Sequence, residues 1–245
     1  MNIQLIKSND CDQHIAKELK NKLPTEYHQQ LIIQLNSKDI HIKAPESTLD
    51  TLTLSVLDEK AEQLSQSINT QQPLLKALGK EILKRKSHII DATAGFGHDS
   101  FIMCRYGLEV TSIEQDPVVY AVLDALKNTL LKKYPQLHWQ VLHGDSIHWL
   151  EHISQHKQVD AIYLDPFFIK KAKALPKNRM QWLQQLAAQE APSAETLFNH
   201  AMSTNIAKII VKRDLKAAYI CNQLPNAGSI TQKTSRFDCY FRPKT

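Results

Sequence analysis

Tyr163 to Lys171 reads YLDPFFIKK: an apolar run that ends in the carboxylate Asp165, then Pro166, Phe167, Phe168 and two lysines. A strand that only enters a core has no need of that ending. An acid followed by a rigid turn and a ring face suits a planar base with an exocyclic amino group. Such a nitrogen is a poor nucleophile, because its lone pair is delocalised into the ring. An acceptor that binds its hydrogens in fixed geometry favours the more tetrahedral nitrogen that attack requires, and orientation supplies much of the rest. Phe167 or Phe168 can stack on the base. A phenylalanine pair buried after a turn would explain the rings but not the acid.

Three further polar groups sit where apolar runs end. DATAGFG puts Asp91 before a turn with Gly95 and Gly97, glycines that let the backbone take positive φ and approach a ligand. A dinucleotide-binding turn would want glycine or alanine where Ser100 stands, and its pyrophosphate would be repelled by Asp91. A ligand carrying an ammonium group would be attracted instead; a tight strand–helix turn with no ligand is the plainer alternative. Glu114 closes EVTSIE, 17 residues beyond Gly97, where a carboxylate can accept both hydroxyls of a ribose. Asp116 before Pro117 suits the helix cap better than Glu114 does. Asp145 and Ser146 follow VLHG; they can meet an adenine edge or simply cap the next helix.

The elements that must hold these groups read as follows. Residues 1–86 form a mixed N-terminal α+β region, with strands at Ile3–Ile6, Gln30–Leu35 and Leu49–Val56 and helices at Asp58–Ile68 and Pro73–Lys84. Residues 87–245 alternate strand and helix. SHIIDAT, EVTSIE, HWQVLHGD, VDAIYLDP and AKIIVKR are the strands. Helices lie between them, including Lys177–Gln189 and Ser193–Thr204 after the fourth strand. SITQKTSRFDCYFR closes the chain as two strands of a hairpin-like pair. The rhythm predicts a doubly wound, mostly parallel α/β sheet of Rossmann-like type, which binds ligands at the carboxyl ends of its strands.

Composition sets the remaining bounds. Hydrophobic residues are 42% of 245 and charged residues 22%, which suits a globular chain large enough to bury a core. No apolar run is long enough to span a bilayer and no leader opens the chain, so a cytoplasmic protein is expected. Cys11, Cys104, Cys221 and Cys239 have no paired spacing, which argues against a disulfide framework or a structural zinc. From Phe167 onward 13 Lys/Arg face 4 Asp/Glu, a balance of +9; the preceding residues hold 17 and 21, a balance of −4. The basic third points to a polyanion, or else to a solvated face. His148, His152 and His156 recur every four residues, but with no fourth ligand near in sequence a polar helix face is expected and no metal. Nucleophile-elbow and P-loop motifs do not occur. Trp182, Leu183 and Leu186 have core spacing.

DATAGFGHD, SIEQDPVV, YLDPFF, IIVKR and SRFDCY, taken in order from about Ile89 to Phe241, resemble the class I S-adenosylmethionine-dependent methyltransferases. Among these the chain is similar to the bacterial small-subunit ribosomal RNA guanine-N2 methyltransferase family. The resemblance implies methyl transfer from S-adenosylmethionine to a guanine N2 of 16S rRNA, as free RNA or in the small ribosomal subunit. It implies cofactor contacts at His98, Asp99, Glu114, Gln115, Asp145, Ser146 and Asp165, with Asp91, Gly95 and Gly97 matching the general cofactor loop. Asp165, Pro166, Phe167 and Phe168 match the segment beside the target amine. Lys170, Lys171, Lys173, Lys177 and Arg179 follow it and are expected to hold phosphates, with Lys212 and Arg213 joining them. The family's usual arginines are replaced by His98 and Gln115, its serine pair by Asp145–Ser146, and its proline after the motif by Ile169. Its Gly- and Arg-rich upstream segment is replaced by SQSINTQQPLLKALG. Adenine-N6 methylation, a catalytically silent RNA-binding protein and a nicotinamide-dependent oxidoreductase are the competing readings.

Overall fold

The computed structural model describes residues 3–7, 31–35, 39–43, 50–55, 70–152, 158–166, 182 and 193–242. In chain order the strands and helices begin with β1 Ile3–Lys7, β2 Leu31–Leu35, β3 Asp39–Lys43, β4 Leu52–Ser55, α1 Pro73–Leu78 and α2 Lys80–Lys84. Then come β5 His88–Asp91, α3 His98–Tyr106, β6 Glu109–Glu114, α4 Pro117–Lys133, β7 His138–His143 and α5 Ser146–Glu151. The last are β8 Ala161–Leu164, α6 Ala194–Ser203, β9 Lys208–Asp214, β10 Ser229–Thr231 and β11 Ser235–Phe241. They fall into two compact units. One comprises Met1–Gln66, Asp116–Gln136 and Lys170–Gln189; the other comprises Ser67–Gln115, Leu137–Ile169 and Glu190–Thr245.

The first unit carries a four-stranded sheet in the order β1-β2-β3-β4, with β1 and β2 parallel and the rest antiparallel. Ile40 and Ile42 of β3 are buried while Asp39 and His41 are partly exposed, the period-two pattern of a strand with one covered face. This strand was not anticipated, because only two apolar residues alternate through it. Helix α4 starts as the sequence requires. Asp116 Oδ1 accepts the amides of Val118 and Val119, both at 2.9 Å, and Pro117 fills the first turn. Trp182 is fully buried and its Nε1 donates to the Asp50 carbonyl at 2.7 Å. The helix expected at Asp58–Ile68, and all of Lys177–Gln189 but Trp182, lie outside the described residues.

The second unit is built on a seven-stranded sheet in the order β10-β11-β9-β8-β5-β6-β7. The five strands from β9 to β7 run parallel; β11 is antiparallel to β9, and β10 to β11. Central strands β5 and β8 are buried along their whole length, as strands covered on both faces must be. One core cluster joins Ile90, Ile113, Leu164 and Val211 of the sheet to Leu197, Phe198 and Ala201 of α6. Ser193 caps α6 by accepting the Thr196 amide at 3.0 Å. Gly107 ends α3 in the left-handed conformation, φ 103°. The helix expected over Pro73–Lys84 is two helices, parted at Gly79 (φ 86°). The buried Lys208 occupies the end of α1, where its Nζ donates to the Leu78 carbonyl at 2.8 Å.

Among the described residues no helix is long and apolar enough to cross a membrane. Cys104, Cys221 and Cys239 are free. Chain order reverses at β5, which lies between β6 and β8, so the ligand crevice of such a sheet opens beyond the ends of β5 and β8.

Phe198 is fully buried and meets Tyr240 edge-on, ring centroids 4.9 Å apart. Phe198→Ala is expected to lower stability by about 3–5 kcal/mol, read from urea unfolding. A loss below about 1 kcal/mol would mean that α6 does not anchor this core.

Candidate active site

Where β5 ends, the chain turns through residues 92–97, and the neighbouring strand ends are tied to that turn. The Ala92 amide donates to the Tyr163 carbonyl of β8 at 3.0 Å, and the Ala94 amide to the Ile113 carbonyl of β6 at 3.1 Å. Glu114 Oε2 accepts the Gly95 amide at 2.8 Å. Ser146 donates its hydroxyl to the Ala92 carbonyl at 2.5 Å. Thr93 Oγ1 accepts the Asp165 amide at 2.6 Å. Gly95 and Gly97 have φ of 53° and 74°, conformations that glycine takes without a side-chain penalty. The turn thus brings Glu114, Ser146 and Asp165 from three strand ends to one place.

Asp91 lies beneath the turn, 1% exposed. Its Oδ1 accepts the Thr93 amide at 3.1 Å, and its Oδ2 accepts the Ser100 hydroxyl at 2.5 Å. Ser112 donates to Ser100 at 2.7 Å and Trp139 Nε1 donates to Ser112 at 2.8 Å, so a chain of donors reaches Asp91 from α3, β6 and β7. Burial pushes its pKa up to about 7, against the pull of Ser100 and Thr93. Asp91 thus holds the turn from beneath.

Asp99, on the first turn of α3, and Asp165, just past β8, are linked by one cation. Lys212 Nζ stands 2.8 Å from Asp99 Oδ2 and 2.8 Å from Asp165 Oδ2. The Tyr163 hydroxyl donates to the same Asp99 oxygen at 2.5 Å. Burial raises the Asp99 pKa, but Lys212 and Tyr163 more than offset it and hold the group below the ordinary carboxylate value. Burial raises Asp165 too, and there Lys212 only partly offsets burial and the nearby Asp99, so the net shift is upward. Burial works against the Lys212 ammonium, and the two carboxylates overcome it, lifting its pKa above the usual lysine value.

The other expected site residues divide clearly. His98 is exposed at the start of α3, and Gln115 is half-buried with its carbonyl 3.1 Å from His143 Nε2. Asp145 caps α5, its Oδ1 accepting the Ile147 amide at 2.8 Å. Pro166 is buried beside Asp165. Arg213 is 7% exposed and its Nη2 donates to the Ala218 carbonyl at 2.8 Å, inside the loop that follows β9. Phe167, Phe168, Lys170, Lys171, Lys173, Lys177 and Arg179 lie outside the described residues. So does His156; His148 and His152 instead gather with Glu151, their ligand atoms within 4.8 Å of one another on the exposed end of α5, where they could hold a metal ion.

Sequence reasoning passed over Thr93, Ser100, Ser112, Trp139 and Tyr163. Two signals were present. Thr93 stands two residues after Asp91, the spacing at which an aspartate accepts a backbone amide. Tyr163 lies two before Asp165 and so on the same strand face. Ser112 and Trp139 contribute only through tertiary pairing.

A cationic ligand suits this donor set. Asp99 and Asp165 carry two negative charges against the single charge of Lys212, and Glu114 adds a third acid at the adjoining strand end. A family model for SAM-dependent methyltransferases matches residues 16–242. Relatives include the ribosomal RNA small subunit methyltransferase J of Alteromonas mediterranea, 35% identical over 179 residues, 71% of this chain and 67% of that one. The protein of the same name from Chromobacterium violaceum is 34% identical over 175 residues, 69% and 67% of the two chains. Among solved structures, a SAM-dependent methyltransferase from Neisseria gonorrhoeae shares the fold, with TM-score 0.68, 20% identity, and coverage of 97% of this chain and 95% of that chain.

Because Asp91 has a folded pKa of about 7 against an ordinary 3.8, the folded state binds its proton more tightly than the unfolded chain. Its contribution to stability is full below 3.8 and is lost as pH rises toward 7. The stability of the wild type relative to Asp91→Asn should therefore fall across that window and level off above it, in urea unfolding at stepped pH. A difference that stays constant with pH would contradict the raised pKa.

Proposed function

The chain belongs to the SAM-dependent methyltransferase family, and from that membership we propose that it transfers the methyl group of S-adenosylmethionine to the exocyclic N2 of a guanine in 16S rRNA of the small ribosomal subunit. The small-subunit assignment is supported by the names of its relatives. The amine assignment is supported by the carboxylate at the end of β8. One observation carries the reading most directly: Asp165 is fixed by its own amide to Thr93 of the cofactor turn, at 2.6 Å, while its side chain stays 32% exposed.

In this reading Glu114 takes the ribose hydroxyls. A carboxylate accepts several hydrogen bonds at once, so its grip on Gly95 is compatible with that role. Asp99 and Asp165 together face the positive end of the cofactor, and His98, Gln115, Asp145 and Ser146 complete its surroundings. The bound cofactor supplies an electrophilic methyl on a sulfonium, whose carbon–sulfur electron pair stays with sulfur when N2 bonds to the methyl. Asp165 accepts hydrogens of the amine and turns the nitrogen lone pair outward from the ring plane. Its raised pKa suits it to take the proton that the alkylated nitrogen sheds, and its partial exposure lets that proton pass to water. Pro166 fixes the chain after the acid, and Phe167 or Phe168 stacks on the base. Lys170, Lys171, Lys173, Lys177 and Arg179 hold phosphates; Lys212 and Arg213, engaged as described above, are not needed for that task.

Incubation with radiolabelled S-adenosylmethionine and undermodified small subunits, then nucleoside chromatography, tests the assignment. Label is expected in N2-methylguanosine. Label in N6-methyladenosine would move the reaction to adenine, and cofactor binding without any label would leave a silent binding protein. Asp165→Ala is expected to lower kcat by about 10²–10³-fold, the usual loss when one transition-state hydrogen-bonding partner is removed.

The basic segment gives a second test. Reversing Lys170 and Lys171 to glutamate should weaken RNA binding at all sequences and flatten its salt dependence, measured by filter binding across salt concentrations. Unchanged affinity would remove the segment from the interface.

A further inference from the structure

We propose that Lys212 is the positioning residue for the amine acceptor: its ammonium, shared between Asp99 and Asp165, keeps the Asp165 carboxylate ionised and aimed into the strand-end crevice. The proposal rests on the reading of Asp165 as the group that receives the target amine.

The register of the sheet makes the pairing unavoidable. Strands β8 and β9 are parallel, with Leu164 opposite Val211 as their last pair. One residue further on, the two chains carry Asp165 and Lys212 side by side. On the other flank, Asp91 pairs with Tyr163, and the Tyr163 hydroxyl reaches Asp99. Lys212 therefore sits between an acid of the cofactor turn's helix and the acid of the target segment, bonded at 2.8 Å to each.

Its surroundings make the cation hard to move. The Lys212 side chain is 25% exposed, Asp99 is 15% and Asp165 32%, so the three charges share a partly dry site. A lysine serving phosphate would have to leave two acids unpaired there, which is strongly unfavourable. The groups acting most strongly on Asp165 are Lys212 itself, Asp99 and Asp214, and Asp91 and Tyr163 also lie within its field. Those acting most strongly on Asp99 are Lys212, Tyr163 and His98, with Asp165 and Asp91 beside it. Of the groups around Asp165, Lys212 is the cation that favours the charged carboxylate, while burial, Asp99 and Asp214 oppose it. Without that ammonium the carboxylates of Asp99 and Asp165 would repel one another, and Asp165 would keep its proton to higher pH. A protonated acid offers a donor of its own toward an amine that needs two acceptor contacts.

The difference is readable in the pH dependence of kcat/KM. Lys212→Met should move the acid limb upward by about 1–3 pH units, the range by which one close opposite charge shifts a carboxylate. Activity should approach the wild-type plateau again at alkaline pH. Lys212→Gln, which keeps a donor but not the charge, should show the same displacement and serves where the methionine variant does not fold. A uniform fall at every pH, or a glutamine variant with the wild-type limb, would overturn the proposal, because a merely structural lysine predicts one or the other. Asp165→Ala in the same assay separates the two levels of the argument. If it stays active, the reading of Asp165 fails; if it is inactive while the Lys212 variants keep the wild-type limb, only the inference fails.

Discussion

Five parallel strands ending together leave amides and carbonyls that have lost their ladder partners, and a buried backbone group without a partner is costly. The turn over residues 92–95 meets that demand. It exchanges hydrogen bonds with Tyr163, Ile113, Glu114, Ser146 and Asp165, which come from the ends of β8 and β6, the start of α5 and the segment after β8. The same bonds that satisfy the sheet set the spacing of the functional side chains. Rigidity at the site is therefore a by-product of closing the fold, and catalysis by orientation has its scaffold without a separate device.

Charge organises the second level. Asp91 is sealed under the turn and serves it through Ser100 and Thr93, whereas Asp99 and Asp165 stay partly exposed and share Lys212. Three acids, at the end of β5, on the first turn of α3 and just past β8, thus take different tasks according to burial and partner. One is a strut, one is held ionised by a lysine and a tyrosine hydroxyl, and one is left with a raised proton affinity beside solvent.

How much of this was legible in the sequence depends on the range of the interaction. Pro117 after Asp116, Gly107 after α3 and Ser193 before α6 are local signals, and each marks a helix end in the structure. The short strands β5 and β8 and the closing pair β10–β11 were equally plain. The break at Gly79 was not, because the lysine that occupies the α1 terminus lies 130 residues away in the chain. Strand β3 was hidden by alternation over only five residues. At the site, the acids were identified by position, but not their division of labour. Ser100 reads in sequence as a departure from a dinucleotide pattern, yet its neighbours in space make it a donor to Asp91. Lys212 and Arg213 look alike in IIVKR. Alternation sends the first toward Asp99 and Asp165 and the second toward the Ala218 carbonyl.

The central claim is that the methyl donor lies across the ends of β5, β6 and β8, between Glu114 and the Asp99–Lys212–Asp165 group. A crystal structure with S-adenosylhomocysteine, the demethylated product, tests it most directly. The account requires ribose hydroxyls within hydrogen-bonding distance of Glu114 and the sulfur on the side of Asp165. A ligand bound elsewhere, or with its sulfur turned away from Asp165, would contradict it.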